Sequence, residues 1–144
     1  LKGLRPIDYR VSESAGALGL TFDFAFSHEV LYLLPDLAAH ASDIKAALKP
    51  GGTYVAAMGC HKDSALWPHW RKLIAETSSI PLHDHSLDSV AKAFSDAGFH
   101  VSVRPLDLDA FMPVTVGSEY FPKVVDQLRY YSQDKVLFRF VRAP

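Results

Sequence analysis

The sequence has few of the features that would assign it quickly to a functional class. It contains one cysteine, Cys60, which rules out an internal disulfide and any metal site built from several cysteines. Its formal net charge is -1, so no general attraction to nucleic acid or to acidic membranes is expected. No apolar run approaches the roughly 20 residues that a membrane-spanning helix needs. We therefore expect a cytoplasmic protein with neither nucleic acid nor membrane as partner.

Glycine is also sparse where a nucleotide-binding protein would need it. The eight glycines are scattered, and no Gly-x-Gly-x-x-Gly occurs. No strand ends in the phosphate-binding turn of a dinucleotide fold. The sequence therefore does not favour the interpretation that the chain is half of a nicotinamide-dependent dehydrogenase. With 144 residues, of which 49% are hydrophobic, the chain can bury one core, and we predict a single domain over residues 1–144.

The stretch from Thr21 to Gly59 predicts a parallel strand–helix–strand unit. An apolar run without alternation, typical of a strand covered on both faces, comes first, and Thr53–Met58 forms a second strand. Between them, Asp36 is placed to cap a helix, and Pro50-Gly51-Gly52 is placed to end it. The apolar run contains Phe22, Phe24, Ala25 and Phe26, and the helix stripe contains Leu37, Ala41, Ile44 and Leu48.

Further elements are predicted on both sides of this unit. The alternation in Leu4–Val11 indicates a strand with one covered face, and helices are predicted to begin at Ser64 and, capped by Ser86, at Leu87. Strands are predicted over Phe99–Leu106 and Val136–Val141. The intervening Asp107–Asp134 carries a helix-like stripe from Tyr120 to Tyr131, typical of a lid over a substrate or of a dimer contact, so a homo-oligomer is compatible with the sequence.

Three short motifs carry a resemblance to a known family. They are Phe22-Asp23 opening a strand, Ser-His-Glu-Val-Leu from Ser27 at its end, and Leu-Lys-Pro-Gly-Gly from Leu48 before the next strand. In this order and spacing they resemble the middle of a class I S-adenosylmethionine-dependent methyltransferase, and Lys135–Val141 is similar to that family's terminal strand. The resemblance implies an α/β, Rossmann-like fold with a mostly parallel sheet flanked by helices and the last strand antiparallel.

The resemblance also implies a function, methyl transfer from S-adenosylmethionine to a small-molecule acceptor. The family's glycine-rich cofactor loop and the acidic residue that binds the ribose are not found in these 144 residues. We therefore expect the chain to be the C-terminal portion of a larger catalytic domain. The alternative is a non-catalytic, methyltransferase-like interaction or dimerisation module that binds no cofactor.

The expected site lies where the first strand of the unit ends, because ligands of open parallel sheets bind outside the carboxyl ends of the strands. By resemblance, Ser27 or His28 would hold the methionine amino group of the cofactor, and His28 or Glu29 would face the acceptor. Glu29 could instead serve the first turn of a helix that begins at Val30. Glu13 and Ser14 lie in a loop that the family places beside the adenine, and a solvated turn is the other interpretation.

Other residues near the expected site have two interpretations each. His61 follows the second strand and could take a proton from the acceptor, although many methyl transfers need only alignment of the reactants. Cys60 fits simple packing, and Trp67 and Trp70 fit either packing or stacking on the acceptor. His83-x-His85 has no third ligand marked by spacing, so no metal is predicted.

Overall fold

The computed structural model describes residues 6–106 and 108–144, and its strands and helices alternate for most of this length. The strands are β1 (Phe22–His28), β2 (Leu48–Met58), β3 (Phe99–Pro105) and β4 (Val136–Arg142). The helices are α1 (Leu37–Ala47), α2 (Trp67–Thr77), α3 (Leu87–Asp96) and α4 (Val124–Arg129), and a π-helical turn, Tyr130–Asp134, follows α4 directly.

The four strands form one sheet in the order β1-β2-β4-β3. β1 runs parallel to β2, whereas β4 lies between β2 and β3 and is antiparallel to both. Three strands therefore point one way and the last strand points the other. The predicted α/β fold, with a mostly parallel sheet flanked by helices and an antiparallel last strand, is confirmed.

Helices α1 and α3 cover one face of the sheet and begin where local chemistry predicts. The Asp36 carboxylate accepts a hydrogen bond from Ala39 N at 2.9 Å, and Ser86 Oγ accepts one from Ser89 N at 3.1 Å. Such N-caps stabilise a helix by about 0.5–2 kcal/mol. Where the helices meet the sheet, the buried ring of Phe140 stacks on the rings of Tyr54 and Phe94, and the three rings form the centre of the core.

The opposite face of β1 is open, so the prediction that this strand is covered on both faces is wrong for the described residues. Phe24 and Phe26 alternate with Ala25 and Ser27 along the strand, and their side chains are 58% and 59% exposed. Both helices that pack on the central core lie on the other face. A continuous apolar run is therefore compatible both with a strand that is buried on two faces and with a strand that has one exposed apolar face.

Two other predicted boundaries differ from the structure. Leu4 and Arg5 lie outside the described residues, and residues 6–11 form no strand. Ile7, Tyr9 and Val11 are exposed, and none of the described strands pairs with their backbone groups. Helix α1 ends at Ala47, before Pro50-Gly51-Gly52. The glycines accompany a shift in the β1–β2 register, and Gly51 has a φ of 75°.

The remaining predictions are closer to the structure. The expected helix at Ser64 begins at Trp67, although Ser64 Oγ accepts a hydrogen bond from Leu66 N at 3.3 Å. The stripe between Tyr120 and Tyr131 is helical only from Val124, where α4 starts. Within residues 6–106 and 108–144, every helix is too short or too polar to cross a membrane.

Candidate functional site

The last residues of β1 direct their side chains to different parts of the molecule. Ser27 Oγ lies 2.6 Å from Tyr54 Oη, on the face of the sheet covered by α1 and α3. His28 comes next and contacts Lys135, which precedes β4. Because β4 is antiparallel, its first residues lie at the same edge of the sheet as the carboxyl ends of β1 and β2.

Glu29 leaves β1 in an unusual backbone conformation. Its φ is 53°, the left-handed region, which costs a residue other than glycine of the order of 1–3 kcal/mol. Its backbone N–H donates to Ala57 O at 2.9 Å, so the residue is still tied to β2. This conformation turns the carboxylate toward Cys60, whose N–H donates to Oε2 at 3.3 Å. The Glu29 side chain therefore contacts the end of β2 instead of capping the turn at Val30.

A buried ion pair joins the ends of β1 and β4. Lys135 Nζ donates to Glu29 Oε1 and, at 2.8 Å, to His28 Nε2, and the Lys135 side chain is only 7% exposed. An ammonium has no acceptor, so His28 Nε2 is the unprotonated ring nitrogen. The hydroxyl of Tyr130 also donates to Glu29 Oε1, at 3.3 Å.

The charges of this cluster follow from burial and from the ion pair. Burial alone would raise the pKa of Glu29, but the hydrogen bond and charge of Lys135, with the backbone N–H groups of Gly59 and Cys60, lower it overall. Burial and the nearby Glu29 carboxylate raise the pKa of the Cys60 thiol and of the Tyr130 phenol. At neutral pH the cluster thus contains one carboxylate and one ammonium beside a neutral thiol and a neutral phenol.

We expect Glu29 to contribute to the pH dependence of stability. Because its pKa is lowered on folding from the ordinary 4.5, the unfolded chain binds the proton more tightly. The contribution to the free energy of unfolding is complete above about pH 4.5 and is lost as pH falls through the lower folded pKa. Urea unfolding between pH 7 and pH 3 should show the wild type losing its advantage over Glu29→Gln across that window. Glu76→Gln, which changes an exposed helix residue, is the control. If the wild type lost as much stability relative to Glu76→Gln as relative to Glu29→Gln over this pH range, the assignment to Glu29 would be contradicted.

A pocket of about 270 Å³ opens beside the ion pair. Glu29, Cys60 and Lys135 line its polar end, and Leu73 and Ile74 of α2 line one wall. The remaining lining is aromatic, contributed by Trp70, Tyr120, Phe121, Tyr130 and Tyr131.

The aromatic walls are held by specific contacts. Trp70 Nε1 donates to Tyr120 O at 2.7 Å, and the rings of Trp70 and Tyr130 meet edge to face with centroids 4.6 Å apart. The ring of Phe121 lies edge to face with Trp70 at 5.7 Å. The segment that sequence analysis interpreted as a lid or dimer contact thus packs on α2 and forms part of this pocket.

Gly59 fixes the position of Tyr130. A Cβ at residue 59 would lie 2.2 Å from the Tyr130 hydroxyl oxygen, so only glycine lets the ring lie against the end of β2. We expect Gly59→Ala to displace Tyr130, break its hydrogen bond to Glu29 and lower the free energy of unfolding by about 1–3 kcal/mol, as overpacking does. Denaturant unfolding measures the cost. In a Tyr130→Ala background the same substitution should cost much less, and an equal cost in both backgrounds would show that the collision is unimportant.

His61 lies near the cluster but its ring contacts a different part of the chain. The side chain is 2% exposed, and Nε2 donates to Asp134 O at 2.7 Å. Asp134 also accepts a hydrogen bond from Ser64 Oγ at 2.8 Å, so this group ties the end of β2 to the π-helical turn. Among the described residues, His61 Nδ1 has no hydrogen-bond partner, and Asp63 Oδ2 lies 3.9 Å away. His61 does not line the aromatic pocket.

Glu13 and Ser14 lie at a separate pocket of about 460 Å³, next to the beginning of α1. Ser14 Oγ accepts a hydrogen bond from Ala17 N at 3.2 Å, which closes a local turn. The structure therefore brings His28 and Glu29 together, directs Ser27 and His61 to other contacts, and places Glu13 and Ser14 at a different pocket.

No cluster of three or more potential metal ligands occurs in the part of the chain that the structure describes. His83 and His85 stack with their ring centroids 6.0 Å apart, and His85 Nε2 donates to Leu34 O at 2.7 Å. The two histidines thus connect this loop to the segment before α1.

Several residues of the cluster could not be assigned to the site from the sequence. The sequence pattern marks neither Lys135 nor Tyr130, and Trp70 fits either packing or stacking on the acceptor. Lys135 carried one usable signal: it immediately precedes an apolar strand, and an antiparallel last strand begins at the edge where the parallel strands end. Tyr130 carried none, because its role depends on a π-helical turn and on contact with Gly59.

Comparison with solved structures identifies the class of fold. A chain in the complex between the Haloferax volcanii Trm112 methyltransferase activator and a methyltransferase is 25% identical, with a TM-score of 0.68 over 91% of this chain. S-adenosylmethionine-dependent methyltransferases from Thermotoga maritima and Mesorhizobium loti match with TM-scores of 0.59 and 0.57, each at 19% identity, over 89% and 85% of this chain. The chain has the class I S-adenosylmethionine-dependent methyltransferase fold.

The matched chains are longer than this chain. The chain spans 59%, 61% and 62% of the lengths of the three matched chains. No protein-family model matches the sequence. No curated protein matches it either.

The residues that the resemblance assigns to S-adenosylmethionine do not come together at one place in the structure. The residues expected on the cofactor lie apart, with Glu13 and Ser14 at one pocket and His28 at Lys135. Ser27 Oγ is engaged with the Tyr54 hydroxyl. Among residues 6–106 and 108–144, no glycine-rich turn follows a strand, and Gly59 at the end of β2 is packed against Tyr130.

Proposed function

We propose that the chain is the C-terminal part of a cytoplasmic methyltransferase that transfers the methyl group of S-adenosylmethionine to a small molecule. In this proposal the aromatic pocket beside Glu29 and Lys135 holds the methyl acceptor. The observation that carries the proposal is the buried ion pair that lines an aromatic pocket, at the carboxyl ends of β1 and β2. Ligands of open α/β sheets bind at that edge.

The residues of the pocket would serve binding, orientation and the exclusion of water. S-adenosylmethionine, when bound, supplies an activated methyl group, so the protein mainly has to align the acceptor with it. Lys135 and the neutral Tyr130 hydroxyl can fix a polar group of the acceptor, and Glu29 positions Lys135. The surrounding rings would keep water from the reacting atoms.

Contacts with the cofactor are proposed to come largely from residues outside this chain. The matched chains are longer, and among the described strands β1 pairs on one side only, with β2. We expect the protein encoded by the complete reading frame to bind S-adenosylmethionine in calorimetry and the 144-residue chain alone to bind it much more weakly. Release of S-adenosylhomocysteine in the presence of fractionated small molecules from cells would then measure turnover.

The decisive comparison uses variants of the complete protein. Glu29→Gln combined with Lys135→Met should keep cofactor binding and lose turnover, whereas the surface variant Glu76→Gln should keep both. Absence of S-adenosylmethionine binding by the complete protein would refute the proposal. The exposed Phe24 and Phe26 would then favour the non-catalytic alternative, an interaction module that pairs through the open face of the sheet.

A further inference from the structure

Lys135 brings to the aromatic pocket a hydrogen-bond donor that the described residues do not fully use. Lys135 Nζ has three N–H groups, and among the described residues Glu29 and His28 take two of them. The Glu29 carboxylate already accepts from Lys135 and the Tyr130 hydroxyl at Oε1 and from Cys60 N at Oε2. A ligand that enters the pocket can therefore accept a hydrogen bond from the remaining N–H of Lys135.

The charges around the pocket favour a neutral ligand. Glu29 and Lys135 compensate each other, and no other carboxylate or cation of the described residues lines the pocket. Aromatic faces attract cations, but a cation here would lose its hydration without finding an unpaired carboxylate. An anion would lose its hydration as well and would compete with Glu29 for Lys135. A neutral group that accepts one hydrogen bond avoids both penalties.

The size and lining of the pocket favour a single aromatic ring. An apolar cavity of about 150 Å³ holds benzene, and pockets for drug-sized ligands range over about 300–1,000 Å³. The value of about 270 Å³ falls between these and fits one ring with small substituents. Aromatic walls set edge to face, such as Trp70 against Tyr130, present both ring faces and ring edges to a ligand ring.

We propose that this pocket takes a neutral, single-ring phenol whose hydroxyl oxygen accepts a hydrogen bond from Lys135 Nζ. Its role as methyl acceptor rests on the proposed function. In that reaction the phenol first loses its proton to solvent, the phenolate oxygen then bonds to the methyl carbon, and the carbon–sulfur bond of S-adenosylmethionine breaks with its electron pair moving to sulfur. Lys135 stabilises the negative charge that develops on the oxygen.

Binding can be tested without the cofactor by following the indole N–H signals of the ¹⁵N-labelled chain in NMR titrations. Trp70 lines the pocket, whereas the indole of Trp67 donates to Asp84 outside the lining and serves as an internal control. Trp70→Phe assigns the two signals. The probes are 4-methylphenol, toluene and 4-methylbenzylamine, which share a ring and differ in the group offered to Lys135.

We expect 4-methylphenol to shift the Trp70 signal in a saturable way and to leave Trp67 unchanged. Toluene should bind at least about tenfold more weakly, because a hydrogen bond to a charged group is typically worth at least that factor. The protonated amine should bind no better than toluene. In Glu29→Gln/Lys135→Met, which keeps a neutral pocket without the ammonium, the preference for the phenol over toluene should disappear, and Lys92→Met on the exposed face of α3 should retain it.

Three results would overturn the assignment: equal binding of phenol and toluene, tighter binding of the amine, or a phenol preference that survives loss of Lys135. The wild-type comparison of the three probes stands even if the double variant fails to fold. Phenol binding by a protein that never transfers a methyl group would refute the proposed function and leave the pocket assignment intact. Methyl transfer to another acceptor without phenol binding would refute the assignment alone.

Discussion

Lys135→Met should destabilise the protein more than any surface substitution, by about 3–5 kcal/mol, as when one partner of a buried ion pair is removed. The methionine fills a similar volume, but the Glu29 carboxylate loses the ammonium that compensates its burial. His28 Nε2 loses its donor as well. Urea unfolding at pH 7 measures the effect, and a loss of this size is a large share of the 5–15 kcal/mol typical of a small domain.

Two controls separate the ion pair from a general effect of losing a lysine. Lys92→Met removes an exposed pair with Asp96 in α3, and such pairs contribute about 0.2–1 kcal/mol. Adding Glu29→Gln to Lys135→Met removes the uncompensated charge, so the double variant should be more stable than Lys135→Met alone. If Lys135→Met costs no more than Lys92→Met, the ion pair of the structure does not persist in solution.

Phe140→Ala should cost about 3–5 kcal/mol, the range for removing a buried aromatic side chain. Phe140 is fully buried, and its ring stacks on Phe94 with centroids 3.8 Å apart, on Phe138 at 5.4 Å and on Tyr54 at 5.5 Å. These rings come from β4, α3 and β2, so their shared contact joins the sheet to a covering helix. A cavity at this point would loosen all three elements.

Thermal and denaturant unfolding of Phe140→Ala should agree on the loss. Phe111→Ala is the matched control, because the Phe111 side chain is fully exposed and its removal should change the free energy of unfolding by no more than about 0.5 kcal/mol. A Phe140→Ala protein as stable as the Phe111→Ala protein would mean that the aromatic stack is not the centre of the core.

Elements with local signals could be predicted from the sequence. The caps at Asp36 and Ser86 depend only on residues three positions away, and both helices begin where these caps place them. The strand–helix–strand unit followed from its length and apolar pattern. Leu4–Val11 had a clear alternation as well, but a strand also needs a neighbour, and the alternation of residues 7–11 could not supply one.

Only the part of the site at the end of β1 could be predicted from the sequence. Ser27-His28-Glu29 was located because strand ends of parallel sheets collect ligands, and the structure does bring His28 and Glu29 into one cluster. Lys135 lies more than a hundred residues further along the chain, and its contact with Glu29 depends on the position of β4 beside β2. Glu29 adopts a left-handed backbone conformation that turns its carboxylate toward Lys135. The residue type does not indicate this conformation, so it could not be predicted from the sequence.

The position of β4 between β2 and β3 has a consequence for synthesis of the protein. β3 pairs with β4 alone among the described strands, and β4 is translated after the other three. At about 5–20 residues per second, a ribosome needs on the order of seconds to make the segment from β3 to β4. During that interval the nascent chain exposes unpaired edges on β2 and β3 together with the apolar side chains that β4 later covers. The emerging polypeptide is therefore most prone to aggregation, and most in need of a chaperone, just before Val136–Arg142 leaves the exit tunnel.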